Sequence, residues 1–200
     1  MAKNSLKTKI IAGKYKGKSL DLPPLDTTRS SKGIIKESFF NVIQYDIVDT
    51  IFIEAFGGSG SIGLEALSRG ATHSYFCEID KNSYKILQSN CDKIDPSSCT
   101  TMLGDSFDII PTIINTTIKN KPNPVVVYID PPFDFRDGME DIYTKSYDMV
   151  EKFDNENIFM IVFEHKSDLE LPEKLGKYIK YKTKKFGNSS LTYFNDSTIK

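Results

Sequence analysis

The rhythm of hydrophobic and polar positions changes twice along the chain. In the first 24 residues the apolar positions come in short runs. Lys9-Ile10-Ile11-Ala12 and Ser19-Leu20-Asp21-Leu22 flank Gly13-Lys14-Tyr15-Lys16-Gly17-Lys18, which predicts a β-hairpin with a glycine-bracketed basic tip, ended by Pro23-Pro24. Ile35, Phe39, Val42 and Ile43 then recur at helical spacing, predicting a helix with one core face and Ser30 or Ser31 as its cap. From residue 50 onward, strand and helix patterns alternate. Strands are expected at about 50–55, 74–78, 99–103, 124–130 and 157–163, and helices at about 60–69, 80–92, 105–119 and 136–152. In the segment 80–92, Asp80 is the expected N-cap, and Tyr84, Leu87 and Cys91 share one face. This alternation predicts an α/β fold, a mainly parallel sheet with helices on both faces. The end of the chain departs from it. Lys177 to Phe186, a turn at Gly187-Asn188-Ser189-Ser190, and Leu191 to Asn195 read as an antiparallel C-terminal edge. The expected organisation is a basic hairpin extension over residues 1–28 and a main domain over residues 29–200.

Two hundred residues, 39% hydrophobic and 26% charged, suit one soluble globular domain with small additions. No run approaches the roughly 18 apolar residues of a membrane span, and the N-terminus lacks the apolar core of a signal peptide, so a cytoplasmic protein with no membrane partner is expected. Cys77, Cys91 and Cys99 show no C-x-x-C spacing, and the two histidines, His73 and His165, sit in no ligand spacing. Reduced core cysteines and no metal are expected. The net charge of −1 hides an asymmetry: residues 1–36 hold nine Lys or Arg against Asp21 and Asp26, and residues 166–185 hold seven Lys against three acids. Basic ends of this kind suit a polyanion. Lys14, Tyr15, Lys16 and Lys18 at the hairpin tip are candidates for contacting nucleic acid, with the Tyr15 ring offered to a splayed base. Arg29, just ahead of a helix, is a candidate for a phosphate or a substrate base.

Two motifs carry chemistry. Val125-Val126-Val127-Tyr128-Ile129 reads as a buried parallel strand that stops at Asp130-Pro131-Pro132-Phe133. Ligands of open α/β sheets bind at the carboxyl ends of their strands. There the Asp130 carboxylate and the Pro131 carbonyl can accept hydrogen bonds from an exocyclic amine, and Phe133 offers a face for stacking. The string resembles the (D/N/S)-P-P-(Y/F) motif of amino methyltransferases, which use S-adenosylmethionine. The second motif, Glu54-Ala55-Phe56-Gly57-Gly58-Ser59-Gly60-Ser61-Ile62-Gly63, leaves a strand through a glycine loop into a helix. It also satisfies the dinucleotide fingerprint G-x-G-x-x-G, with Glu78 some twenty residues on, which keeps a nicotinamide cofactor as a rival. Glu54 favours S-adenosylmethionine, because a carboxylate beside the glycines attracts a sulfonium and an ammonium but repels a pyrophosphate. Glu78 then suits a ribose diol, and Asp105 an adenine amine. Asp105 is equally suited to capping the helix that follows it.

With both motifs placed, the chain resembles the RsmD family of small-subunit ribosomal RNA guanine-N2 methyltransferases, from Ile10 to about Phe194. The resemblance rests on the hairpin string Ile10 to Lys18, on Lys36-Glu37-Ser38-Phe39-Phe40-Asn41, on the glycine loop, on Gly63-Leu64-Glu65-Ala66-Leu67-Ser68-Arg69-Gly70-Ala71, and on Asp130-Pro131-Pro132-Phe133. It implies a Rossmann-like class I methyltransferase core with an RNA-touching hairpin. It also implies a cofactor site of Glu54, Phe56, Gly58, Ser59, Gly60, Glu78 and Asp105, and a catalytic set of Asp130, Pro131 and Phe133. The implied partner is small-subunit (16S) ribosomal RNA or a 30S assembly particle; nothing in the sequence suggests an obligate protein partner, and a monomer is expected. The chain departs from the family pattern at Arg29-Ser30-Ser31, Gly33-Ile34, Glu54 and Gly57. An adenine-N6 methyltransferase and a non-catalytic ribosome-assembly factor stand as alternatives.

Overall fold

The computed structural model describes residues 6–24, 29–132 and 141–196, with the side chains of residues 29–32 outside that description. Its frame is an eight-stranded sheet. Strands β3 (Ile51–Glu54), β4 (His73–Glu78), β5 (Cys99–Leu103), β6 (Val125–Ile129) and β7 (Ile158–Lys166) are parallel. Strands β8 (Lys174–Leu175), β9 (Tyr178–Phe186) and β10 (Ser189–Asp196) run antiparallel to their neighbours, and the order is β5-β4-β3-β6-β7-β10-β9-β8. A separate two-stranded ladder joins β1 (Lys7–Lys9) to β2 (Ser19–Asp21). The central strands β3 and β6 are buried at every position, as β-branched runs covered on both faces must be.

Alternation along these strands sorts side chains into two cores. Phe52, Val126 and Tyr128 point to the face covered by α1 (Arg29–Val42), α2 (Ser61–Ser68) and α3 (Lys81–Ile94). Ile51, Ile53, Val125, Val127 and Ile129 point to the face covered by α4 (Ser106–Thr112) and α5 (Ile142–Glu151). Sheet order reverses between β3 and β6, so the crevice at the carboxyl ends of these two strands is the topological switch point.

Several boundaries differ from the sequence expectation for identifiable reasons. The first hairpin strand ends at Lys9 rather than Ala12, because the N–H groups of Ile11 and Ala12 donate to the Glu65 carboxylate instead of to a neighbouring strand. Helix α1 begins at Arg29, which puts Ser30 and Ser31 inside the first turn rather than at a cap. The helix expected over 105–119 stops at Thr112 and continues as a π-helical turn, Ile113–Thr117, after Pro111, whose missing N–H and ring disturb the α ladder. The last helix is described from Ile142, and residues 136–140 lie outside the described range. Strand β7 runs three residues past Phe163, and β8 was not expected at all. Asp80 caps α3 as expected, its side chain accepting from Asn82 N at 3.1 Å and Ser83 N at 2.8 Å. Among the described residues, no helix is long and apolar enough to cross a membrane.

Candidate active site

An open cleft of about 2080 Å³ lies at the switch point, and its lining includes Glu54, Phe56, Gly58, Ser59, Glu78, Asp105, Asp130 and Pro131. The first carboxylate, Glu54, closes β3 and is 5% exposed. Its Oε2 accepts the Gly63 N–H at 2.8 Å, so the acid and the first turn of α2 hold each other in place. Gly63 has to be a glycine. A Cβ there would stand 2.4 Å from the Phe76 ring and 3.1 Å from Glu54 Oε2. Glu78, ending β4, accepts Gly58 N at 2.8 Å through Oε2 and Asp80 N at 2.8 Å through Oε1, which leaves further lone pairs on each oxygen for a diol. Gly58 has a φ of 51° and a Cβ position with nothing within 4 Å, an open patch of backbone on the cleft wall. This combination of a bare glycine loop and acids at successive strand ends fits S-adenosylmethionine.

Other expected cofactor residues are placed with more qualification. Asp105 lines the cleft, but it also caps α4, its Oδ1 accepting Phe107 N at 2.9 Å. Phe56 meets Phe107 edge-on, with ring centroids 5.8 Å apart, in the same wall. Ser59 is buried, and its carbonyl accepts the Asn90 amide at 2.9 Å. Gly60 turns away from the cleft into Leu87 and Phe76 and serves the turn rather than the surface. Cys77 also lines the cleft, and burial pushes its thiol up to about 11, so it stays protonated. Asp130 and the buried Pro131 line the same cleft, directly after β6. Phe133, the third member of the expected catalytic set, lies outside the described residues.

The hairpin tip occupies a different place. Helices α2 and α3 start at the cleft and run towards the amino ends of the strands, and the tip docks where they finish. Lys14 N donates to Ser68 O at 2.8 Å, Tyr15 N to Ser68 Oγ at 2.9 Å, and the Tyr15 hydroxyl to Asp95 at 2.6 Å. Gly13 is pressed so closely on α2 that a Cβ would lie 1.7 Å from Ser68 O. The Tyr15 ring, expected to be free for stacking, is half-buried and flanked by the ammonium groups of Lys14 and Lys18 at 4.6 and 5.0 Å. Lys14 itself pairs with Asp95 at 3.2 Å. Lys16 and Lys18 are exposed, while the Arg29 side chain lies outside the described residues. The base of the hairpin, at Lys7 and Thr8, reaches the cleft rim, together with Lys145 and Lys166.

Sequence reading passed over two groups. Glu65, wholly buried in α2, accepts Ile11 N at 2.7 Å, Ala12 N at 2.9 Å and Arg69 Nε at 2.8 Å, and lies 3.6 Å from the Lys36 ammonium. The string that carries the family resemblance is thus, in good part, a hairpin clamp. Burial pushes the Lys36 ammonium below its ordinary value, and it donates to Lys9 O at 3.0 Å. Glu164, 4% exposed, ends the apolar run of β7 and lines the cleft beside Asp130. Its signal was available, since Ile53-Glu54 and Ile129-Asp130 show the same change from apolar to acid at a strand end.

The family model described as Conserved hypothetical protein 95 matches residues 8–195. "Putative rRNA methyltransferase YlbH" of Bacillus subtilis is 27% identical over 188 residues, covering 93% of this chain and 97% of that protein. "Ribosomal RNA small subunit methyltransferase D" of Haemophilus influenzae is 33% identical over 129 residues, 64% of each chain. Among solved structures, the "putative methylase HI0767" of Haemophilus influenzae superposes with a TM-score of 0.70 at 26% identity, covering 96% of this chain and 99% of that one.

Proposed function

The chain belongs to the Conserved hypothetical protein 95 family, the RsmD family its motifs resemble, and from that premise we propose that it methylates the exocyclic N2 amine of a guanine in small-subunit ribosomal RNA. The observation that carries the reading is the meeting of the Glu54 glycine loop and Asp130-Pro131 in one cleft, at the ends of adjacent strands. Glu54 and the loop would hold the methionine part of S-adenosylmethionine, Glu78 the ribose and Asp105 the adenine. When bound, this cosubstrate supplies an electrophilic methyl group. Across the cleft, Asp130 and the Pro131 carbonyl accept the N–H bonds of the target amine. An aromatic amine is a weak nucleophile because its lone pair is delocalised into the ring. Acceptors fixed on its hydrogens favour a pyramidal nitrogen and turn the lone pair towards the methyl carbon. No strong base is required, because the proton becomes acidic as the new bond forms.

The target must leave its helix to reach this cleft, at a cost of a few kcal/mol that stacking on an aromatic side chain offsets. Phe133 is our candidate for that stacking. Lys7, Lys145 and Lys166 on the rim, and Lys16 and Lys18 on the distant tip, are the candidate phosphate contacts. The proposed substrate is the RNA itself or a 30S assembly particle, met by a cytoplasmic monomer made of residues 1–28 as an arm on a catalytic domain of residues 29–200. The test is transfer from labelled S-adenosylmethionine to small subunits lacking the modification, with Asp130→Ala beside the wild type. N2-methylguanosine made only by the wild type is expected. Methyladenosine would replace the guanine reading with an adenine-N6 one, and cofactor binding without transfer would leave an assembly factor.

A further inference from the structure

We propose that Glu164 reads the N1–H of the target guanine while Asp130 holds its N2 amine, an assignment that rests on the guanine-N2 reading above. The evidence is the register of two parallel strands. Tyr128 pairs with Val162 and Ile129 with Phe163, where the ladder ends; carried one position further, this register sets Asp130 beside Glu164, and both line the cleft. Neighbouring strands are about 4.8 Å apart, and residues at one level of a parallel pair share a face. Both acids therefore follow Tyr128 onto the α1 side of the sheet. The Tyr128 hydroxyl, fully buried, donates to Glu164 Oε2 at 2.6 Å, which fixes the orientation of the carboxylate. An ionised carboxylate has about four acceptor positions, so one that accepts from a tyrosine can accept from a base as well.

The pair of acids discriminates between bases. The Watson–Crick edge of guanine sets an N1–H donor next to the N2 amine, so two adjacent acceptors match two adjacent donors. Adenine sets its amine next to N1, which carries a lone pair that a carboxylate repels. Burial sharpens the difference. A site built to hydrogen-bond one donor rejects analogues lacking it far more strongly than a site that excludes by shape. Glu164 thus provides the choice of base that the Asp130 motif, shared with adenine methyltransferases, does not.

The test uses 2-aminopurine, which keeps the exocyclic amine but has a bare acceptor at N1. Small subunits are reconstituted with guanine or 2-aminopurine at the methylated nucleotide, and kcat/KM is measured for each. The wild type is expected to prefer guanine by at least about 30-fold. Glu164→Gln can turn its amide to donate to N1 of 2-aminopurine, so the preference should fall below about 3-fold, with S-adenosylmethionine affinity unchanged. Glu164→Asp keeps an acceptor and should retain the preference at a lower rate, which serves as the second variant if the glutamine form folds poorly. If Glu164 only anchors Tyr128, then Glu164→Gln and Tyr128→Phe will lower both rates alike and leave the preference where it was, and the assignment is overturned. A wild type that methylates adenine instead overturns the guanine reading and this assignment with it.

Discussion

Replacing Glu65 by alanine should cost about 4 kcal/mol of stability, and the figure follows from what the carboxylate touches. It receives two hairpin N–H groups at 2.7 and 2.9 Å and the Arg69 guanidinium at 2.8 Å, and it faces Lys36 at 3.6 Å. Arg69 keeps some solvent contact and lies over the Phe40 ring at 4.8 Å, so it can turn outward. Lys36 cannot, since its side chain is 4% exposed. Removing one member of a buried pair typically costs about 3–5 kcal/mol, because the charge left behind has no partner. With a urea dependence of about 2–3 kcal/mol per molar, the midpoint should fall by between about 1 and 2 M. Equilibrium urea unfolding followed by far-ultraviolet circular dichroism measures it, since the chain has no tryptophan. Glu65→Ala with Lys36→Met should recover about 1–2 kcal/mol of the loss, because no buried cation is then stranded. A single variant whose midpoint lies within about 0.3 M of the wild type would refute the clamp.

Gly63→Ala should weaken S-adenosylmethionine binding at least about tenfold, because its Cβ would displace Phe76 or Glu54; titration calorimetry reads this, and an unchanged affinity would deny the glycine its role. Burial alone would raise the Asp95 carboxyl, but hydrogen bonds from Tyr15, Ser97, Lys14 and Ser98 hold it well below the ordinary carboxylate range. A carboxyl lowered by folding contributes stability that is complete above its unfolded value, about pH 4, and is lost as pH falls through the folded one. The stability gap between wild type and Asp95→Asn should therefore be flat from about pH 7 to 5 and narrow progressively below about pH 4, without closing by about pH 2.5; a gap as wide at about pH 2.5 as at about pH 7 would count against the network. Replacing Lys16 and Lys18 by glutamine should reduce the slope of log RNA affinity against log salt by about 1–2, and an unaltered slope would remove the tip from the RNA interface.

Most of the parallel frame was legible because buried strands announce themselves as apolar runs, and Glu54, Glu78 and Asp130 stand where those runs end. What escaped was decided across the sheet rather than along the chain. Nothing in the neighbourhood of Glu164 says that it will lie level with Asp130, since the register of β6 against β7 is set by packing over both strands. Tyr15 reads as an exposed aromatic among lysines, and only the distant Asp95, eighty positions on, captures its hydroxyl. Pro111 lay inside the helix expected over 105–119 without being read as a break, and the α ladder gives way after it to a π-helical turn.

Helix α2 begins under the glycine loop and ends under the hairpin, and the consequence is felt by anyone who would graft this arm elsewhere. The arm alone would arrive without its sockets. Glu65 and Ser68 on α2, Arg69 at its end, Asn90 on α3 and Asp95 beyond it all receive or brace the arm, and Gly13 fits only against α2. The smallest transplantable piece therefore runs from the first strand of the hairpin through Asp95, and it takes every proposed cofactor residue except Asp105 along with it.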